Sequence, residues 1–176
     1  MTSTLKINNI DTASGSTITI PTGKQLIVTD EGAVRVPGAV LQVVQATDAT
    51  NTVASSTSFT AMSLQADITP KSTSSKILIL VNGGMDTNAA GRGMRTTIYR
   101  DNTTNLATLA SGQQGFDYNI SHGARLQVTS SMQFLDSPAT TSSVNYRVYG
   151  QSTASAKVEY PGTFQTKVMT LLEIAQ

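Results

Sequence analysis

The stretch Lys76-Ile-Leu-Ile-Leu-Val-Asn82 decides how this chain folds. Its unbroken apolar run falls far short of the ~18 residues a membrane span needs. It is also too short for an amphipathic helix, and its isoleucines and valine favour extended backbone. Gly83-Gly84 follows directly. A continuous apolar run of this length reads as a strand covered on both faces. Ile77, Leu78, Ile79 and Val81 are therefore expected core positions.

Outward from that run, strand-length segments recur with turn residues between them. Upstream, Val40-Leu-Gln-Val-Val-Gln-Ala46 reads as a strand, and Leu64, Ala66 and Ile68 alternate with Gln65 and Asp67 until Pro70. Downstream, Met94 to Arg100 alternates and enters a turn at Asp101-Asn102. Arg125 to Leu135 alternates around Leu126, Val128 and Phe134, with a bulge expected at Ser130-Ser131. Val144, Tyr146 and Val148 share one face, and Asn145, Arg147 and Tyr149 the other. Lys157 to Tyr160 is a short strand, and Val168 to Ile174 closes the series. No stretch of a dozen residues keeps the apolar spacing of a helix. The expected fold is all-β: residues 39–176 form an antiparallel, jelly-roll-like β-sandwich of about 8–10 strands.

Residues 1–38 differ in texture. Thr17 to Ile20, Gln25 to Thr29 and Ala33 to Val36 are short β-like runs, separated by Pro21, Thr22-Gly23 and Glu31-Gly32. Three such strands bury too little to stand alone. The expectation is a short β arm or shaft that attaches or trimerises, its apolar residues wrapped against those of neighbouring copies. An arm lying on its own sandwich is the alternative.

Composition narrows the function. Serine and threonine make up roughly a quarter of the chain, far above average usage. Charged residues are only 13%, the formal net charge is +1, and there is neither cysteine nor tryptophan. The 12 Lys and Arg are scattered, which argues against nucleic acid as a partner. No apolar run is long enough for membrane insertion. The first residues lack a basic region followed by an apolar core, so no secretory signal is expected. Disulfides are excluded as a source of stability.

Catalytic and metal signatures are weak. His122 is the lone histidine and has no cysteine or Gly-x-Ser-x-Gly partner, so a structural role is expected. The 11 acids are scattered, with Asp30-Glu31 and Asp136 reading as turn residues and Glu173 as a strand residue. Asp101-Asn102, and Asp86 with Asn88, read as turn chemistry rather than a calcium loop. Gly83-Gly84 and Gly91-Arg-Gly93 lack the phosphate-loop spacing. No catalytic residue, cofactor or metal is expected. Two long loops stand out instead, Gly83 to Gly93 and Ser111 to Gly123. Loops on a rigid sandwich are where binding sits, which makes Asn88, Arg92, Gln113, Phe116 and Tyr118 the candidate binding residues. Arg95 and Arg125 are further candidates for an acidic group, and Phe116 and Tyr118 either pin their loop to the domain, the commoner arrangement, or are offered to a partner.

Several blocks carry a family resemblance. Ser3-Thr-Leu-Lys-Ile-Asn-Asn-Ile10, Ser14 to Pro21, and Pro37-Gly-Ala-Val-Leu-Gln-Val-Val-Gln45 are similar to the openings and junctions of virion appendage proteins from phages of marine bacteria, cyanophages included. Thr69 to Ile79, Tyr99-Arg-Asp-Asn102, Phe134-Leu-Asp-Ser-Pro138 and Leu171-Leu-Glu-Ile174 resemble blocks that recur in that group. The likeness spans nearly the whole chain. It implies a non-enzymatic, β-rich virion structural protein of the tail-fibre type. Its C-terminal jelly-roll tip would resemble the trimeric heads of the complement and tumour-necrosis-factor type. Such a protein is made in the host cytoplasm, sits in the virion, forms a homotrimer, contacts other tail or capsid proteins, and binds host-surface glycan or protein. The baseplate domain and long shaft of long tail fibres are not matched. A trimeric capsid decoration protein, either cement or head fibre, is therefore the alternative, and a polysaccharide-cleaving enzyme the third reading.

Overall fold

The computed structural model describes residues 20–25, 27, 36–87, 90–107, 110, 112–119, 125–154, 157–161 and 165–176. The expected arm or shaft over residues 1–38 lies mostly outside these. Eleven strands are described: β1 (Val40–Asp48), β2 (Thr52–Ala54), β3 (Thr60–Ile68), β4 (Lys76–Thr87), β5 (Arg92–Arg100), β6 (Thr104–Asn105), β7 (Gly115–Asn119), β8 (Leu126–Asp136), β9 (Val144–Ser152), β10 (Val158–Tyr160) and β11 (Lys167–Ile174). No helix occurs among the described residues.

All pairings are antiparallel and build two sheets that pack on each other. In sheet I, β4 lies between β8 on one side and β11 on the other, with β1 outside β11. Further along β4, beyond β11, β10 and then β2 take over the same side. In sheet II the order is β3-β9-β5, and β7 and β6 share the far side of β5. Along the chain the eight main strands fall in sheets I, II, I, II, II, I, II and I. That is the doubled Greek-key order of a jelly roll, as the alternating segments led us to expect.

The core lies between the sheets. Ile77, Ile79, Val81 and Met85 from β4, with Met169 and Leu171 from β11, face Met62, Leu64, Ile98, Tyr146 and Val148 from sheet II. The alternation of β4 corrects the two-sided coverage expected for Lys76–Asn82: Leu78 is only half-buried, and Leu80 is exposed on the outer face. The strand also runs on to Thr87, through the diglycine. A Cβ at Gly83 would overlap the ring of Tyr160, and one at Gly84 would press on Pro161 and Gln165. The two glycines let the chain around β10 cross close over the sheet, so they are packing residues within a strand rather than loop residues. The bulge expected at Ser130-Ser131 is absent, because β8 pairs with β4 in unbroken register. Irregularities fall instead at Val40/Gln42 and Ala61/Gln65.

Candidate functional site

The two outer faces of the sandwich are chemically unlike. On sheet I the register lines up Val43, Leu172, Leu78 and Leu135 as direct neighbours across β1, β11, β4 and β8. This apolar row crosses all four strands. Val43 is 59% exposed and Leu135 49% exposed, while Leu78 and Leu172 are half-buried. Leu80 and Val168 lie on the same face, and a depression of about 240 Å³ opens among Leu80, Asn82, Ser131, Gln133, Val168 and Thr170. The charged side chains on the outward positions of these four strands are Lys76 and Asp86, one toward each end of β4.

Sheet II presents rings and guanidinium groups. Phe116 and Tyr118 alternate outward on β7, 50% and 43% exposed, with ring centroids 6.2 Å apart. Residues Gly115 to Asn119 are thus a strand, and both aromatics are offered to solvent rather than pinned to the domain. The exposed aromatics alternate with buried Gly115, Asp117 and Asn119, and that two-residue period was visible in the sequence. Tyr118 packs on Gly93, where a Cβ would meet its ring 2.7 Å away. Arg95 holds its guanidinium 5.7 Å from the Phe116 ring centroid and donates to the Gln151 amide oxygen at 3.2 Å, while the Gln151 nitrogen donates to Thr57 O. Farther along β5, Tyr99 stacks on Tyr149 with centroids 4.0 Å apart.

The remaining sequence candidates are not brought to this platform. Arg92 lies at the start of β5 opposite Asn119, out of phase with Arg95. Gln113 lines a depression of about 390 Å³ with Gln114 and Ser131 to Phe134, beside β8. Asn88 and His122 lie outside the described residues. Most of Gly83–Gly93 and part of Ser111–Gly123 are strand rather than loop.

The buried polar groups are structural ties. Asp86 sits on β4 rather than in a turn, and accepts from Arg125 and Gln127. Asp136 ends β8 as a buried residue and is gripped by Arg100. Glu173, fully buried, accepts from Gln42 and from the backbone N–H of Lys71. Lys167, also fully buried, donates to Asp48, Ser63 and the carbonyl of Thr50. Among the described residues, no three His, Cys, Asp or Glu side chains converge to hold a metal ion. No protein-family model matches the chain, and no curated protein is significantly similar to it.

Proposed function

We propose that this chain is a non-enzymatic structural protein of a bacteriophage virion. In this reading it is a homotrimeric fibre or fibre-tip appendage, with sheet I turned toward neighbouring copies and sheet II outward. The apolar row of Val43, Leu172, Leu78 and Leu135 carries the reading. An exposed, contiguous apolar patch marks an association surface, and charge on this face is confined to the two ends of β4, Lys76 at one and the Asp86–Arg125 pair at the other. The same face offers projecting Val43 and Leu135 as knobs and the depression around Leu80 as a hole. Knobs and a hole on one surface give it shape complementary to another copy of the chain. A net charge of +1 leaves little repulsion between copies. The ordered blocks quoted above supply the virion part of the reading.

The test is the mass in solution together with the location on the particle. Light scattering should return three times 18.5 kDa. Leu135→Glu should yield a folded monomer, and purified virions should contain the protein. A wild-type monomer at micromolar concentration overturns the trimer. Absence from purified virions overturns the structural role. A decoration protein would show the same mass, and copy number on the particle separates it from a fibre.

A further inference from the structure

We propose that the outward face of sheet II is a binding platform for an acidic saccharide. Phe116 and Tyr118 form the stacking surface, and Arg95 is the contact for the sugar carboxylate. Of the chain's five tyrosines and four phenylalanines, Phe116, Tyr118, Tyr99 and Tyr149 lie on this one face. Exposed rings carry an association risk, and nothing among the described residues covers Phe116 or Tyr118.

The rings are held in place before any ligand arrives. Gly93 lets Tyr118 lie directly on the backbone of β5. Arg95 is fixed by Phe116 on one side and by Gln151 on the other, and Gln151 is anchored on Thr57. A site assembled in advance loses less entropy on binding.

Charge and shape select the ligand. Arg95 and Arg147 both lie on this face, and neither has a carboxylate partner among the described residues. Asp67 lies at its far margin and is occupied by Asn145. The platform therefore suits an anion. Both rings project outward from β7, and neither lines the depressions around Gln113 and Leu80. A compact apolar ligand would need a concave pocket. An extended peptide would use a free strand edge for its main-chain hydrogen bonds. A pyranose fits the open face: its C–H side stacks on a ring, and its carboxylate meets the guanidinium. One chain carries the whole platform, so the inference does not depend on trimer formation.

The experiment titrates a tetramer of galacturonic acid, and separately its full methyl ester, into the native protein. Calorimetry and tyrosine fluorescence supply the readouts. The acid should bind saturably and the ester about tenfold more weakly, the equivalent of one charge-assisted contact. Phe116→Ala should weaken the acid about tenfold, and Phe116→Leu should fail to restore it, because cover without a π face is insufficient. Arg95→Gln should erase the difference between acid and ester while circular dichroism stays unchanged. Three results overturn the proposal: no saturable binding of the acid at millimolar concentration, equal affinity of the native protein for acid and ester, or polyglutamate binding as tightly as the saccharide and indifferent to Phe116→Ala.

Discussion

Arg100 reaches from β5 across the core and grips both carboxylate oxygens of Asp136 at the end of β8, at 2.9 and 2.8 Å. The Tyr146 hydroxyl donates to the same carboxylate at 2.8 Å. The clamp ties sheet II to sheet I through one guanidinium nitrogen, Nη1, shared between the two carboxylate oxygens, a charge-assisted contact. Burial, reinforced by the Asp136 carboxylate, pushes the Tyr146 hydroxyl far above the ordinary tyrosine range.

Removing the carboxylate should cost more than the pair contributes, because it strands a cation and a hydroxyl at the sheet junction. Asp136→Ala is expected to destabilise by about 3 kcal/mol, the low end for a broken buried pair, since Arg100 keeps some solvent contact. Lys157→Ala breaks a half-exposed pair with Glu159 and should change stability by less than ~1 kcal/mol. Urea unfolding of both variants checks the contrast. Equal losses would show that the clamp is not a structural tie.

Neighbouring residues on β4 should behave oppositely. Ile79 is fully buried, and Ile79→Asp should prevent soluble folding, since an unpaired buried charge costs at least several kcal/mol. Leu78 points outward in the apolar row, so Leu78→Asp should fold with a native circular dichroism spectrum and lose only self-association. An unfolded Leu78→Asp protein would place that side chain in the core.

Alternation in β3, β5 and β9 made the sandwich legible, because a period of two allows only one choice of buried face. The unbroken Ile77–Val81 run was misleading for the same reason. Continuous apolarity normally means two covered faces, yet here the second face is the apolar row. The glycines hid the other strands. Gly83 and Gly84 look like loop residues in isolation, and only Tyr160 and Pro161, some eighty residues away, require them. Gly115 hid β7 in the same way: a Cβ there would overlap Thr96 and Ser130, where the two sheets approach. Phe116 and Tyr118 were found as candidates, but their grouping with Arg95 and Gln151 depends on strand pairing, which local pattern does not encode.

Gly83 offers a direct test of that close approach. Gly83→Ala inserts a methyl group into space held by the Tyr160 ring and the Lys167 side chain. Overpacking of this kind should cost about 1–3 kcal/mol. Tyr160→Leu shortens the opposing side chain, so adding Gly83→Ala to a Tyr160→Leu background should cost less than in the wild type. Additive losses in thermal melts of the double variant would mean that the glycine is needed for backbone conformation and not for clearance.

Asp48 and Asp117 should make stability depend on pH in opposite senses. Burial works against the charge on Asp48, but Lys167 at 2.7 Å, Ser63 and Thr50 outweigh it and hold its pKa down at about 2, against 3.8 unperturbed. A lowered folded pKa stabilises fully above the unfolded value, and that contribution fades as pH falls from 3.8 toward 2. Burial, with Asp86 nearby, raises the pKa of Asp117 against the hydrogen bond from Thr87. Folding therefore favours its protonated form, and its contribution falls as pH rises through the raised value. Asp48→Asn should destabilise by about 3 kcal/mol at neutral pH, because fully buried Lys167 loses its carboxylate. At this chain length that lowers the melting temperature by roughly 6–12 °C, and the loss should shrink near pH 2. Asp117→Asn should raise the melting temperature at pH 7 and leave it unchanged at pH 3. Calorimetry across that range decides both. If Asp48→Asn costs as much at pH 2 as at pH 7, packing rather than the ion pair is what Asp48 supplies. If Asp117→Asn destabilises at neutral pH, the hydrogen bond from Thr87 outweighs the burial of the charge.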